Sequence, residues 1–129
     1  MATITQLKKS LDRWFSLFIR LRYAQDGIVR CFTCGKQDHY KSMHCGHFQS
    51  RRHLSTRWDE INCQVQCPKC NTFNQGEQYK FAKNLDKKYG KGTADGLARS
   101  ARMITKMTQS DYKELIDKYK SWVNTNQTK

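Results

Sequence analysis

Cys31-Phe32-Thr33-Cys34-Gly35 and Gln66-Cys67-Pro68-Lys69-Cys70-Asn71, with 32 residues between Cys34 and Cys67, decide how this chain folds. Two residues between paired cysteines let both sulfurs meet one tetrahedral ion, with Zn–S bonds of about 2.3 Å. Two such pairs complete a closed site with no open position for chemistry. Gly35 relieves crowding where backbone amides face the sulfurs. We therefore expect Cys31, Cys34, Cys67 and Cys70 to bind one structural Zn2+. An iron–sulfur cluster is disfavoured, because nothing else in the chain points to redox work. Cys45 and Cys63 fall outside the paired spacing and read as small buried hydrophobes.

The ion would pin residue 31 to residue 70. All four histidines, His39, His44, His47 and His53, lie inside the loop so closed. Imidazole titrates near neutral pH and ligates metals, so this clustering marks the loop as the place for chemistry.

Around this centre the chain reads as α+β. Leu7, Leu11, Trp14, Phe15, Phe18 and Leu21 recur at helical spacing over about residues 5–24. That stripe is either core, the preferred reading, or a self-association face that would make a homodimer. Residues 28–32, 43–48 and 61–65 read as short extended pieces, and 49–59 as a polar, basic loop. A helix is expected from Asn71 or Thr72 to about Tyr89, burying Phe73, Tyr79, Phe81, Ala82 and Leu85. Gly90 and Gly92 break it. Thr93 caps a helix to about Met107, and Thr108 or Ser110 caps a last one carrying Tyr112, Leu115, Ile116, Tyr119, Trp122 and Val123. Residues 124–129 read as a fraying tail. The whole of 1–129 is expected to be one domain: an N-terminal helix at 5–24, a zinc-bound core at 28–90 and helices at 93–124.

The formal charge is +13, from 24 Lys and Arg against 11 Asp and Glu. Such an excess on a short chain points to a polyanionic partner. No apolar run approaches the ~20 residues that cross a bilayer, and residues 1–11 lack a signal-peptide pattern, so an intracellular, membrane-free location is expected. Arg51, Arg52, Arg57 and Trp58 suit phosphate contacts with one stacking aromatic, and Lys80 extends the basic face. The alternative is a solvated basic loop.

Cys31-x-x-Cys34-Gly35, Gly46-His47-Phe48, an arginine ahead of Asn62-Cys63, Gln66-Cys67-x-x-Cys70-Asn71, Gly76, Tyr79 and Leu85-x4-Gly90 together resemble the HNH nucleases. More closely they resemble the NinG/Rap recombination endonucleases of lambdoid phages, over about Trp14 to Trp122. The resemblance implies a zinc-stapled ββα-metal (HNH, treble-clef-like) core and a phage protein acting in the bacterial cytoplasm. It implies catalytic His47 facing the scissile phosphate, and Asn62 bracing the His47 segment. Asn71, in place of the last HNH histidine, would help hold a catalytic Mg2+ or Mn2+. The substrate implied is branched DNA, such as D-loops and four-way junctions, with a recombinase as a further partner. The chain departs from the pattern at two positions. Gly46 replaces the acid that often precedes the catalytic histidine, and His44 replaces an Asp three residues before it. His44 is then either a nitrogen ligand or a substitute that favours a softer ion. Two other functions remain open: a non-catalytic zinc-dependent DNA-binding module, and a general HNH nuclease of restriction or homing type.

Overall fold

A computed structural model describes residues 2–126. Helix α1 (Ile4–Leu21) opens on a capping box: the Thr3 hydroxyl accepts from the Gln6 amide at 3.2 Å, and the Gln6 side chain accepts from the Thr3 amide at 2.9 Å. Two orphan donors of the first turn are thereby satisfied. The apolar stripe is core. Leu7, Leu11, Phe15, Phe18 and Ile19 are buried, chiefly against α5 (Gln109–Asn126). Phe15 meets Tyr119 edge-on at 4.9 Å between ring centroids, and Phe18 meets Trp122 at 5.0 Å. α5 covers the face of α1 that carries Phe15 and Phe18.

The chain then forms two antiparallel hairpins. Strand β1 (Ile28–Arg30) pairs with β2 (Gln37–His39), and the first cysteine knuckle is the loop between them. After a 3-10 turn at Tyr40–Ser42, β3 (His44–His47) pairs with β4 (Cys63–Gln66) in the register His44–Gln66, Cys45–Val65, Gly46–Gln64 and His47–Cys63. The two hairpins meet where the Phe32 amide donates to the Val65 carbonyl at 2.7 Å. All four residues of β4 are buried, including two glutamines. Gln64 donates to the Ile61 carbonyl and the Tyr89 hydroxyl, and accepts from Arg22. Gln66 donates to Thr33 and to the Gly76 carbonyl. Such partners offset the burial of these polar side chains, although Gln66 Oε1 has none. Gly46 faces Gln66 so closely that a Cβ there would overlap the Gln66 carboxamide.

Several expectations need correction. The basic loop contains a short helix, α2 (Leu54–Arg57). The helix expected over 71–89 is two elements, a π-helical turn at Lys69–Phe73 and α3 (Gln78–Tyr89). Gln75, Gly76 and Glu77, with φ of 54°, 88° and 50°, separate them in left-handed conformations that no α-helix accommodates. The break also turns Phe73 and Tyr79 outward, at 80% and 75% exposure, whereas Phe81 and Leu85 are buried as expected. Third, residues 124–126 belong to α5, so only the end of the expected tail, 127–129, lies outside the described residues.

Helix α4 (Thr93–Ala101) packs on α3; it ends at Ala101, short of the expected Met107, and its N-cap is Gly92, with Thr93 inside the helix. A loop follows, and Thr108 caps α5: its hydroxyl accepts from the Asp111 amide, while the Asp111 carboxylate accepts from the Thr108 amide. No helix among the described residues is long and apolar enough to cross a membrane.

Phe15 is 1% exposed and touches both Phe18 and Tyr119. Phe15→Ala should lose about 3–5 kcal/mol of stability. Urea denaturation followed by circular dichroism would show it as a lower midpoint at unchanged slope.

Candidate functional site

The sulfurs of Cys31, Cys34, Cys67 and Cys70 lie within 4.8 Å of one another, with Cys34 Sγ and Cys67 Sγ at 3.6 Å. All six cysteines are free thiols. Local backbone bonds shape both knuckles: Gly35 N–H donates to the Cys31 carbonyl, and Asn71 N–H to the Cys67 carbonyl. Burial opposes ionisation of Cys31, but the Thr33 hydroxyl and backbone amides outweigh it and bring that thiol down to about 6. Burial pushes Cys70 up to about 12, with neighbouring thiols adding to the effect, and burial raises Cys34 too. Ionisation is thus favoured at Cys31 and opposed at Cys34 and Cys70. The four cysteines can hold a zinc ion.

Beside this centre lies a cleft of about 770 Å³. One wall is α1, through Asp12, Phe15, Ser16 and Arg20. The other is β3 with the segment around residues 71–78. His44, His47 and Asn71 all line it. The Asn71 amide nitrogen is 3.0 Å from His44 Nδ1. His47 Nε2 is 2.9 Å from the Arg57 carbonyl oxygen. A carbonyl can only accept, so Nε2 carries the proton and Nδ1 keeps the ring's lone pair. Burial lowers the His47 pKa from 6.5, with the Arg51 charge adding to this; the bond to Arg57 and the Asp12 carboxylate oppose it.

Asn62 does not line the cleft. It is fully buried, and its side chain accepts from the Gln49 amide at 2.7 Å while donating to the Gln49 and Thr56 carbonyls. It therefore clamps the chain just after His47 onto α2, without touching the ring.

The basic loop divides into two parts. Arg51 lines the cleft with a largely exposed side chain 3.8 Å from Asp12, and Arg52 is exposed outside it. Arg57 and Trp58 require correction as DNA contacts. Arg57 makes a two-pronged ion pair with Asp12, and Trp58 Nε1 donates to the same carboxylate at 2.9 Å. Trp58 is 9% exposed and packs edge-on against Tyr112, so its face cannot take a base. Lys80 is exposed but paired with Glu77 at 3.1 Å. His39 and His53 line no part of the cleft.

Residues 2–128 match the family model described as Bacteriophage Lambda NinG protein. The chain belongs to the NinG family. No curated protein and no solved structure matches it.

Sequence reasoning did not find three features of this NinG-family cleft. Asp12 and Arg20 enter it from α1, more than twenty residues before the first histidine of the wall, and only tertiary packing brings them there. The exposed aromatics Phe73 and Tyr79 flank the lining residues Gln75, Gly76 and Gln78; helical periodicity had hidden them in the core. Cys45 and Cys63, read as inert, lie against His47.

Two expectations follow. Stripping metal with a strong chelator should unfold the region around the knuckles, because the tie between the two cysteine pairs is then lost. A large loss of near-ultraviolet circular dichroism, restored by zinc, would register it. In metal-free cleft conditions, an NMR titration of the His47 ring should have its midpoint below 6.5. A folded-state pKa depressed in this way favours the neutral ring, so the associated stability is present above 6.5 and is lost as the pH falls.

Proposed function

We propose that this NinG-family chain is a metal-dependent DNA endonuclease built on a zinc-stapled ββα-metal core, acting on branched recombination intermediates in the cytoplasm of a phage-infected bacterium. The observation that carries this reading is the convergence of His44, His47 and Asn71 on one cleft beside the four-cysteine centre, in a chain of charge +13. β3, β4 and the turn that follows them supply the two strands and the helical segment of such a core.

In this reading His47 is the general base. Its Nε2–H is held by the Arg57 carbonyl, which orients the ring and leaves Nδ1 to take a proton from water. Burial keeps the ring neutral at physiological pH, as a base must be. Asn62 acts through the backbone, fixing the segment that presents His47. His44 and Asn71, side by side in the cleft, would hold the catalytic Mg2+ or Mn2+. That ion would supply charge neutralisation at the phosphate and stabilise the leaving 3′ oxygen. Two protein ligands leave room for waters and phosphate oxygens, which hard cations prefer. The products carry a 5′ phosphate and a 3′ hydroxyl.

Arg51 at the cleft mouth meets the phosphate backbone, and Arg52 and Lys80 extend the contact. Phe73 and Tyr79 take the stacking role first assigned to Trp58. Exposed rings beside lysines suit unpaired bases, which branched DNA offers and linear duplex does not. A recombinase that delivers such intermediates is the natural partner.

His47→Ala should reduce cleavage by on the order of 100- to 10,000-fold while zinc content and fold persist. Cleavage of a labelled four-way junction should exceed that of linear duplex of the same sequence. Salt-sensitive binding with no divalent-dependent nicking of either would instead leave a zinc-dependent DNA-binding module. Equal cutting of both would point to a general nuclease.

A further inference from the structure

Outside the four-cysteine centre, one other group among the described residues brings metal-type donors together. The ligand atoms of Cys45, His47 and Cys63 lie within 4.8 Å of one another. Strand pairing puts them there. Cys45 and His47 are two apart on β3 and so share a face. Cys63 is the cross-strand partner of His47 on β4. Cys63 Sγ and His47 Nε2 both hydrogen-bond to one acceptor, the Arg57 carbonyl, at 3.5 Å and 2.9 Å. Cys45 and His47 line the cleft, while Cys63 is fully buried behind them. An ion in the cleft meets Cys45 and His47 directly, and must pass between them to reach Cys63, which lines no part of the cleft.

The spacing needs little adjustment. Zn–S bonds of about 2.3 Å in a tetrahedron put neighbouring sulfurs about 3.8 Å apart. The donor set is two sulfurs and one imidazole, with no oxygen. Such a set selects zinc-class ions over magnesium or manganese. Three protein ligands also leave a fourth position facing the cleft, unlike the closed four-sulfur site.

We propose that Cys45, His47 and Cys63 form a second metal site, specific for a thiophilic divalent ion of the zinc class, and that filling it silences His47. Binding releases one proton from each thiol to solvent and involves no change of oxidation state. The ion then takes the lone pair of the imidazole. A neutral imidazole has only one, so coordination and proton abstraction exclude each other. The site itself stands on geometry alone; the silencing rests on His47 being the base. The cleft would thus hold two seats of opposite preference: His44 and Asn71 for the activating ion, the sulfur set for an inhibiting one.

Cadmium NMR on the full chain loaded with excess cadmium tests the site without reference to activity. Wild type should give two resonances, one in the four-sulfur range and one shifted toward mixed sulfur and nitrogen ligation. Cys45→Ala should keep the first, which reports that the knuckles have folded, and lose the second. A single resonance in wild type, or a second one that survives Cys45→Ala, overturns the site. For the silencing, junction cleavage is measured in manganese with zinc added. Zinc should slow wild type by on the order of 100-fold, the loss expected when a general base is removed. It should leave Cys45→Ala little changed, and equal inhibition of both would overturn the silencing. If wild type cuts no DNA with any ion, the nuclease reading falls, while the cadmium spectra still decide the site.

Discussion

Four sulfurs brought within 4.8 Å of one another tie residues 31–34 to residues 67–70, and every wall of the cleft except α1 is hung on that tie. The enclosed segment carries β2, β3, α2, β4 and all four histidines. Closing a loop of this length costs entropy, though the cost grows only slowly with length. A cation bound by four thiolates would offset it, since metal binding contributes directly to folding free energy. The position of Asn71 follows directly. It is the residue after the last ligand, so the second knuckle delivers its side chain to His44 as the chain leaves the cluster.

The opposite wall depends on one carboxylate. Asp12 receives Arg57, Trp58 and, more loosely, Arg51, so a single acid on α1 holds the loop that follows His47. Arg57 pays twice into the site: its guanidinium secures the loop, and its carbonyl receives His47. The ion pair is only partly exposed, at 19% and 21% for its two side chains, so solvent screens it less than a surface pair. Asn62 completes the clamp from beneath.

Local chemistry made some of this legible in the chain and hid the rest. The four-cysteine cluster could be read because each pair is separated by two residues. The three extended segments and the apolar faces of α1 and α5 could be read because their periods are short. The helix break could not, since apolar residues continue at helical spacing through Phe73 and Tyr79, and of the three left-handed residues only Gly76 is of a type that announces itself. Arg57 and Trp58 looked like a nucleic-acid loop because the acid that captures them stands 45 positions earlier. Cys45 and Cys63 looked unrelated because only the β3–β4 register brings them to the same imidazole.

The cover that α5 provides has a bearing on biosynthesis. As the chain leaves the ribosome, α1 emerges well before α5, so the aromatic face of Phe15 and Phe18 has no lid until synthesis passes Trp122. Contacts between elements so far apart in sequence form late and slowly. The nascent chain can close its cysteine centre well before α1 is seated. Asp12 and Arg20 find their partners on the segment from Tyr40 to Trp58, so a stalled or shortened translation product could build both cleft walls and still leave the aromatic face of α1 bare.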